Sequence, residues 1–498
     1  MTPCSVSSPV SLSYVGALRG ITPRKPGTPF AYALAACRQP YALMCLAASN
    51  SEGRFFGLMS DAAACTAATE QARARMVDNV TFLAVTPEAA VAQILQGASP
   101  LPPLNYLVAD ESSAPMPASE RAALFDMAAK LLLPGGLFHY SYAAYNDADG
   151  ALRFLVREFA PEMSADQAKE FLHELKALGG VYFSENPAVA AKLDHAIAQN
   201  MPDAFFADYD AGEARSAAFD TIVALRPRDF AYAGDGSIAA NYIELSVPPE
   251  AHPVIVSCRD NPLYEPIKDF ALNRRVRSDI WCRQPAPQTS DIAELFGGFA
   301  YGIVLPEGRV PTGIKARGAV IDLSSPLFAK LTSLMTLTPA TIGDFLAHPD
   351  GQGFAPMEVV GAVQILVACG LAQPMRGLYQ GAGMSNLEQP KLSGSFNLYL
   401  DKTDVTGEDV WLASPVLGGA IILSPRDALV MQALNRAGLA NSVAALLPEL
   451  GRLAQNPSRA ARVMDTAEPT PETAHNMIED AVGRSIIQWY AYGLLEAA

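Results

Sequence analysis

Short apolar runs alternate with helical segments between about residues 30 and 145. Such alternation is typical of a parallel sheet wrapped by helices. The runs that are short enough for buried strands are Ala31 to Ala36, Arg54 to Leu58, Val80 to Ala84, Tyr106 to Ala109 and Leu137 to Tyr142. The pattern therefore predicts an α/β domain in the first part of the chain.

Local signals predict two helices between these strands. Thr86-Pro87-Glu88 combines an N-cap, a proline at the first helical position and an acid in the first turn, all of which suit the free amide end of a helix. A second helix is predicted by the one-sided spacing of Leu124, Met127, Ala128, Leu131 and Leu132. Pro134-Gly135-Gly136 is expected to end this second helix.

Beyond about residue 150 the pattern becomes mostly helical. Ser164 and Gln167 form a predicted capping box, and Gly179-Gly180 is expected to close that segment. The apolar runs Asp220 to Leu225 and Asp229 to Tyr232 are interpreted as terminal strands that return to the first sheet.

Pro262 to Arg283 is predicted to be an amphipathic helix, and the proline-rich Pro285-Ala286-Pro287 that follows predicts a domain boundary. Residues 325 to 376 then suggest three helices, Gly370 and a short strand, in the order of a winged helix. The predicted helix starts are Ser325-Pro326, Thr338-Pro339 and Ala355-Pro356.

The last part of the chain, from about residue 385, mixes one extended segment with helices. The extended segment is predicted around Asn397 to Leu400, and helices are predicted to begin at Ser424-Pro425 and Thr470-Pro471.

Composition narrows the classes of function. Half of the 498 residues are hydrophobic and 17% are charged, so the chain has enough apolar material for several cores. The net charge of −15 should repel phosphate backbones, which argues against a nucleic-acid partner. No apolar run is long enough for a signal peptide or a membrane span.

The cysteines and histidines suggest neither a disulfide framework nor a metal site. The seven cysteines are dispersed, odd in number and never spaced as CxxC, and the six histidines show no HExxH spacing. We therefore expect no metal, and a cytoplasmic protein.

Four stretches have counterparts in one known family. Tyr32 to Pro40 reads YALAACRQP, Leu46 to Gly57 reads LAASNSEGRFFG, and Lys130 to Leu137 reads KLLLPGGL, followed by Ser141-Tyr142. Tyr264 to Cys282 contains DF and NRRVR. These stretches resemble the motifs Y-C-E-L-G-C-G-Q-G, L-L-A-A-A-N-P-E-G-R-F-Y-G, K-L-K-P-G-G-L and Y-x-D-F-x-x-N-R-x-F-R-x-x-L-x-C of the bacterial protein-lysine methyltransferase family.

The resemblance implies a Rossmann-like class I methyltransferase domain that uses S-adenosylmethionine, followed by mostly helical regulatory and winged-helix-like domains. The predicted bounds are 1–160 for the methyltransferase domain, 161–288 for the methyltransferase regulatory domain, 289–384 for the winged-helix-like domain and 385–498 for a mixed, mostly helical C-terminal domain.

The cofactor loop departs from the family's pattern. Ala36, Arg38 and Pro40, on either side of Cys37, stand where the family has glycines that let the backbone approach the cofactor. A non-glycine residue that must adopt a positive φ is strained by about 1–3 kcal/mol, and proline removes an amide donor. The sequence therefore predicts a degenerate cofactor loop.

The family's acidic anchors are also replaced. The acid that holds the methionine part of the cofactor corresponds to Leu34, and the acid that holds the ribose hydroxyls corresponds to Met59. Asp61, two residues farther on, is a candidate substitute. Each lost hydrogen bond costs roughly 1–3 kcal/mol, so several losses together would weaken cofactor binding by orders of magnitude.

After the fourth strand, the family's H-G-I-Y-S-W becomes Asp110 to Pro115, which begins with an acid pair. Asp110 and Glu111 are either a polar pocket with a general base for a lysine nucleophile, or solvated loop acids. Tyr142 is a catalytic candidate or a packed tyrosine of the sheet. Arg274 and Arg277 either contact a partner or pair with Asp269 or Asp279.

Three functions are compatible with the sequence. The first is a pseudo-methyltransferase that binds a protein, such as an active relative. The second is a working S-adenosylmethionine-dependent protein-lysine methyltransferase with an altered loop. The third is a cleft remodelled for another small molecule. In each case the fold alone cannot decide, because function depends on the site, and the oligomeric state is left open.

Overall fold

The computed structural model describes residues 2–4, 7–111, 116–145, 147–210, 217–259, 261–305, 309–317, 319–376, 388–403, 405, 408–464 and 469–497. In chain order, the strands are β1 Thr2–Cys4, β2 Phe30–Ala35, β3 Gly53–Met59, β4 Val80–Ala84, β5 Leu104–Asp110, β6 Leu132–Ala143, β7 Phe230–Asp235, β8 Val276–Arg283, β9 Phe299–Ile303, β10 Gly313–Lys315, β11 Val320–Asp322, β12 Ala340–Thr341, β13 Ala372–Arg376, β14 Pro390–Leu392, β15 Val410–Ser414, β16 Gly419–Leu423 and β17 Leu495–Ala497.

Helices supply most of the remaining structure. In chain order, they are α1 Pro9–Ala17, α2 Pro40–Ser49, α3 Ala62–Ala74, α4 Pro87–Leu95, α5 Ala118–Leu131, α6 Gly150–Phe159, α7 Ala165–Leu178, α8 Gly180–Glu185, α9 Pro187–Gln199, α10 Pro202–Asp210, α11 Ala217–Leu225, α12 Ile243–Ser246, α13 His252–Ser257, α14 Tyr264–Ala271, α15 Ile292–Phe296, α16 Pro326–Leu337, α17 Ile342–Ala347, α18 Pro356–Ala368, α19 Ser395–Leu398, α20 Pro425–Ala454, α21 Pro457–Ala460, α22 Pro471–Arg484 and α23 Ile486–Ala491. Gly438, with φ of 70°, interrupts α20.

The principal sheet has seven strands in the order β4-β3-β2-β5-β6-β8-β7. Strand β3 is parallel to both β2 and β4, whereas β8 is antiparallel to both β6 and β7. The predicted α/β fold is thereby confirmed. Each of the strands predicted between residues 30 and 145 is present, Val80–Ala84 with the predicted ends and the other four with shifted ends. Smaller sheets are formed by β1-β16-β15, β12-β9-β13, β14-β17 and β10-β11.

Two compact units divide the chain. The first comprises residues 1–108, 286–312 and 323–498, and the second comprises residues 109–285 and 313–322. The first unit has an apolar core that includes Ile421, Leu429 and Trp489. The second has a helical core that includes Leu152, Leu175 and Phe270. The four-domain division of the sequence stays a prediction.

Most of the predicted helix starts are confirmed. Thr86 caps α4, Ser164 and Gln167 form the capping box of α7, and Ser424 and Thr470 cap α20 and α22. Helix α17 begins later than predicted, because Thr341 rather than Thr338 accepts the amide of Asp344. Helices α16, α17 and α18 and the sheet β12-β9-β13 occupy the winged-helix stretch, whose identity stays a prediction.

Three segment predictions were wrong. Asp220 to Leu225 lies in helix α11 rather than a strand, because its buried positions Ala218, Ile222 and Leu225 repeat with helical spacing. Pro262 to Arg283 is helical only as far as Ala271, and the chain then turns and returns as strand β8.

The turn after Ala271 has a local cause. Asn273 adopts a φ of 47°, in the left-handed region that asparagine tolerates better than most residues, and this ends the helix. The third wrong segment, Asn397 to Leu400, is helical rather than extended. There the side-chain Nδ2 of Asn397 donates to the carbonyl of Ala413 at 2.9 Å, and its Oδ1 accepts the amide of Ala413 at 2.8 Å. By contrast, Asp229 to Tyr232 does enter the sheet, as the start of β7.

Pro134-Gly135-Gly136 does not itself end helix α5. The helix ends at Leu131, and the three residues lie within strand β6, where Gly135 has a φ of 78°. A glycine is needed at such an angle because side chains rarely fit there.

Candidate functional site

The loop after β2 keeps a bend that favours glycine, although alanine occupies it. Ala36 has a φ of 51°, in the left-handed region. The next amide, that of Cys37, donates to the carbonyl of Leu58 at 2.7 Å. The Cys37 thiol is buried, and burial raises its pKa to about 12, so it is not a nucleophile at neutral pH. The bend therefore has a backbone conformation that favours glycine, with a methyl group on it.

The end of the loop offers few donors to a ligand. Helix α2 begins directly at Pro40, and its N-cap residue Gln39 makes no side-chain capping bond. A proline at this position has no N–H to present to a ligand. Arg38 is exposed, and its long side chain stands where the family has a glycine.

Asp61 caps a helix through one of its two carboxylate oxygens. Its Oδ1 accepts the amides of Ala63 and Ala64 at 2.8 and 3.2 Å, and so forms the N-cap of α3. Met59, at the end of β3, is buried and apolar. Met59 therefore stands where the resemblance implies the ribose-holding acid, and the nearest acid, Asp61, uses its Oδ1 to cap α3.

These residues do not fit S-adenosylmethionine as the family binds it. The ligand needs close backbone approach and polar partners for its amino-acid and ribose groups. In the first unit, the bend carries a Cβ, the helix start lacks an amide, and Asp61 is capping a helix.

Replacing Ala36 by glycine is expected to stabilise the protein by about 1 kcal/mol, because glycine adopts a positive φ without the steric cost that alanine pays. Urea unfolding of the full chain measures the difference. Ala35→Gly is the matched control: Ala35 lies in strand β2 with no positive φ, so glycine there should destabilise by about 1 kcal/mol. Equal effects of the two changes would contradict the strain at Ala36.

In the second unit, the acid pair divides into one exposed and one buried side chain. Asp110 is exposed, whereas Glu111 is 5% exposed. Glu111 accepts the amide of Met116 at 2.9 Å, the Nε of Arg121 at 3.1 Å and the hydroxyl of Tyr140. The prediction of a solvated loop acid is thus wrong for Glu111. Its carboxylate already accepts three hydrogen bonds from the protein, so it is not available as a general base.

Tyr142 is packed in the same strand as Tyr140. The two rings stack with centroids 4.6 Å apart, and the Tyr142 hydroxyl donates to Asp279. Burial and the Asp279 carboxylate raise the pKa of Tyr142 well above its usual value. Tyr142 is therefore a neutral, buried tyrosine, as the packing interpretation describes. Its catalytic role, like that of Asp110, stays a prediction.

Arg277 is the centre of a buried ion network. It is fully buried and bonds Asp269 at 2.6 Å, Glu265 at 2.8 Å and Asp279 at 2.8 Å. The interpretation that Arg277 pairs with Asp269 or Asp279 is correct for both acids, but the predicted helical geometry is wrong, because Arg277 and Asp279 lie in strand β8. The network joins helix α14 to β8.

Two further pairs extend the network. Arg274 pairs with buried Asp235, and Lys268 bonds Glu265 at 3.0 Å. The carboxylates are Asp235, Glu265, Asp269 and Asp279, and the cations are Lys268, Arg274 and Arg277, so acids outnumber cations by one. The excess of one acid over the cations is reflected in the pKa of Asp269. Burial raises its pKa to about 6, against the lowering effects of Arg277 and Arg274.

Asp269→Asn is expected to flatten the pH dependence of stability. The folded-state pKa of Asp269 is raised from 3.8 to about 6, so its favourable contribution is full below 3.8 and is lost as the pH rises through 6. Asparagine cannot ionise, so the variant should gain on the wild type by at least about 1 kcal/mol between pH 4 and pH 8.

Urea unfolding at both pH values measures this gain. Arg277, Arg274, Glu265 and Asp279 face Asp269. Lys268 and Arg277 outweigh the effect of burial and lower the pKa of Glu265 to about 2, which lies below the tested window. Burial raises the pKa of Asp279 above 3.8, but Asp279 is present in both the wild type and the variant. The exposed control Asp203→Asn should show no shift, and a constant difference for Asp269→Asn would contradict the titration.

A second polar cluster was missed by sequence reasoning. The Nε2 atom of His139 lies 2.6 Å from the Oγ atom of Ser278. The Oγ atom of Ser278 in turn lies 3.4 Å from the Oγ atom of Ser141. Burial lowers the pKa of His139 to about 4, so the imidazole is neutral at pH 7. Ser141 and Ser278 become neighbours only through the pairing of β6 with β8, so the sequence alone gave no signal for this cluster.

Ala36, Cys37, Arg38, Pro40 and Asp61 belong to the first unit, whereas Asp110 and Tyr142 belong to the second. Within the described ranges, no three His, Cys, Asp or Glu side chains are grouped so that they could hold a metal ion. In the same part of the chain, every helix is too short or too polar to cross a membrane.

Comparison with known proteins supports the family resemblance. Residues 215–283 match a family model described as a predicted methyltransferase regulatory domain, which includes the Tyr264 to Cys282 motif. No curated protein matches the chain.

Two solved structures share the fold over nearly the whole length. PKMT2 from Rickettsia typhi in complex with AdoHcy is 14% identical, with a TM-score of 0.65 over 99% of this chain and 98% of that chain. A second structure of PKMT2 from Rickettsia typhi is 15% identical, with a TM-score of 0.65. The match covers 100% of this chain and 99% of that chain. The chain therefore has a class I methyltransferase fold and carries a methyltransferase regulatory segment.

Proposed function

We propose that this chain is a pseudo-methyltransferase: it keeps the class I fold and regulatory segment and acts by binding another protein, without turning over S-adenosylmethionine. The observation that carries the proposal is the state of the cofactor residues. The only acid at the end of β3 is capping a helix, and the bend at Ala36 carries a methyl group. These losses act together on one ligand.

Binding loss should be large because the missing contacts add. Two or three absent hydrogen bonds, at roughly 1–3 kcal/mol each, weaken an affinity by a factor of about 10² or more. At about 2 kcal/mol for each of three contacts, a micromolar site would become millimolar or weaker. The regulatory segment does not share this damage, since its buried ion network is complete around Arg277. A retained scaffold with a lost cofactor site is the arrangement expected of a binding protein.

Calorimetric titration with S-adenosylmethionine and with AdoHcy is the decisive experiment. The full chain is expected to show no saturable binding at ligand concentrations up to several hundred micromolar. PKMT2 from Rickettsia typhi, whose structure contains AdoHcy, serves as the positive control for the assay. Saturable binding by this chain that is lost in Asp61→Asn would overturn the proposal.

The second candidate is an active protein-lysine methyltransferase with an altered loop. One observation favours it: the backbone at Ala36 keeps the positive φ that a glycine loop would have. This candidate requires cofactor binding in the titration above and methyl transfer from labelled S-adenosylmethionine to a protein. A pseudo-methyltransferase instead predicts a stoichiometric protein complex, which light scattering on material purified from the native host would measure.

A further inference from the structure

Strands β6 and β8, in the second unit, place a histidine beside two serines on one face of their antiparallel ladder. Side chains alternate between the two faces of a strand, so His139 and Ser141 share a face while Tyr140 lies on the other. Ser141 pairs with Ser278 across the ladder. The Nε2 atom of His139 lies 2.6 Å from the Oγ atom of Ser278. This is the spacing of a nucleophile and the base that activates it.

The hydrogen bonds of this cluster run towards the imidazole. The hydroxyl of Ser141 donates to the Oγ atom of Ser278 at 3.4 Å. A serine hydroxyl has a single hydrogen, so Ser278 keeps its own hydrogen for the Nε2 atom of His139. The imidazole is neutral at pH 7, because burial lowers its pKa to about 4, and the neutral form can accept a proton. The arrangement therefore prepares Ser278 to lose its proton to His139.

Two carboxylates stabilise the imidazolium that such a proton transfer creates. Burial has the largest effect on the pKa of His139, and the carboxylates of Asp110 and Asp235 act against it. Asp110 is the last residue of β5, and the next amide, that of Glu111, donates to the carbonyl of Ser141 at 2.8 Å. The end of β5 therefore lies beside the cluster. In serine hydrolases a carboxylate likewise stabilises the imidazolium of a serine–histidine pair.

The serine hydroxyls are more accessible than the imidazole. Ser141 and Ser278 are half-buried, whereas His139 is 4% exposed. A molecule that approaches from solvent therefore meets the serine oxygens first. The exposed carboxylate of Asp110 at the end of β5 repels an anion. The cluster is therefore suited to an uncharged electrophile.

We propose that Ser278 and His139 form an acyl-transfer site that accepts the acyl group of a small uncharged ester. The Oγ atom of Ser278 bonds to the carbonyl carbon of the ester while its hydrogen passes to the Nε2 atom of His139. The bond from this carbon to the alcohol oxygen then breaks, and the alcohol leaves with that hydrogen. Water attacks the acyl-serine in the same way, which releases a carboxylic acid and restores Ser278. The Ser141 hydroxyl, 3.4 Å from the attacking oxygen, donates to the negatively charged oxygen of the intermediate.

The reaction is expected to be slow, because a base with a pKa of about 4 removes a proton weakly. Acylation by an activated reagent is therefore the step to measure. The proposal does not rest on the pseudo-methyltransferase assignment, because its residues lie in the second unit and none belongs to the cofactor loop. A negative S-adenosylmethionine titration and a negative labelling experiment are separate results.

Labelling with a fluorophosphonate tests the nucleophile. The full chain is incubated at pH 7 with an excess of an uncharged fluorophosphonate ester, and the labelled peptides are identified by mass spectrometry. Ser278 is expected to displace fluoride and become labelled, whereas the exposed serines Ser184 and Ser257 of the same unit should stay unlabelled. Absence of label on Ser278, or equal labelling of the three serines, would refute the acyl-transfer site.

Substitution of the histidine tests the base. His139→Gln is expected to slow the labelling of Ser278 at least about tenfold, at the low end of what general-base catalysis contributes. His252→Gln is the control and should leave the rate unchanged, because the Nε2 atom of His252 bonds the carbonyl of Val247 at 2.8 Å. An unchanged rate in His139→Gln contradicts the proposal. If that variant does not fold, the labelling pattern of the wild type decides.

Hydrolysis of p-nitrophenyl acetate tests the complete reaction. The wild type should release p-nitrophenol in a burst of about one equivalent per chain, because acylation by this activated ester precedes a slower attack by water. Ser278→Ala should abolish the burst, and Ser184→Ala should keep it. A burst that survives in Ser278→Ala would assign the reaction to another group and reject Ser278 as the nucleophile.

Discussion

Replacing Arg277 by alanine is expected to lower the free energy of unfolding of the second unit by about 3–5 kcal/mol. The guanidinium is fully buried and is the shared partner of Glu265, Asp269 and Asp279. Its removal leaves carboxylates buried without their main counter-charge, and Lys268 reaches only Glu265 in this network. A buried ion network gives little net stability compared with apolar residues of similar volume. Removing one member is nevertheless costly, because the desolvation of the remaining charges is then no longer offset.

Hydrogen–deuterium exchange of the amides in Val276–Arg283 is the appropriate measurement. The chain has two units, so global unfolding need not be a single step. Arg275→Ala is the control: Arg275 is exposed and bonds backbone carbonyls of Asp147 and Ala148, so its loss should cost less than about 1 kcal/mol. A cost as small as this for Arg277→Ala would show that the network is unimportant.

Trp281→Ala is the second large effect, with an expected loss of about 3–5 kcal/mol. Trp281 is 1% exposed and lies in the middle of β8, paired with Phe138 of β6 and with Tyr232 of β7. Its ring meets that of Tyr232 edge-on, with centroids 5.3 Å apart. Alanine would leave a cavity at the point where three strands pack.

Trp281→Phe separates the packing of the ring from the polarity of the indole. The Nε1 atom of Trp281 is buried and has no hydrogen-bond partner among the described residues. Phenylalanine removes this unsatisfied donor while keeping an aromatic ring, so the loss should stay below about 1.5 kcal/mol. Thermal unfolding of both variants gives the comparison. Equal destabilisation by alanine and phenylalanine would mean that the site requires the full indole and that a smaller aromatic ring does not preserve the packing.

Local sequence signals predicted helices and strands well where contacts between residues close in sequence determine the structure. The Thr86 cap and the Ser164 and Gln167 box need only adjacent amides, and both are present. The strands between residues 30 and 145 are apolar runs bounded by such signals. The same local reasoning failed at Asp220 to Leu225 and Pro262 to Arg283, because a short apolar run satisfies either period until a partner surface selects one.

The candidate site was predicted in part for the same reason. Residue identities revealed the replaced glycines and the absent acids around Ala36 and Met59. They could not reveal that Asp61 caps α3 or that Glu111 is buried against Tyr140 and Arg121. Both facts depend on side-chain direction and on contacts between positions distant in sequence.

The sequence by itself determined the α/β pattern, the helix caps, the surplus of acidic residues and the loss of glycine from the first loop. The tertiary structure alone decided that Arg277 is shared among three carboxylates and that Ala36 has a strained, left-handed backbone. The physical reason is that caps and apolar periods are local, whereas burial and charge compensation are set by segments that meet only in the folded chain.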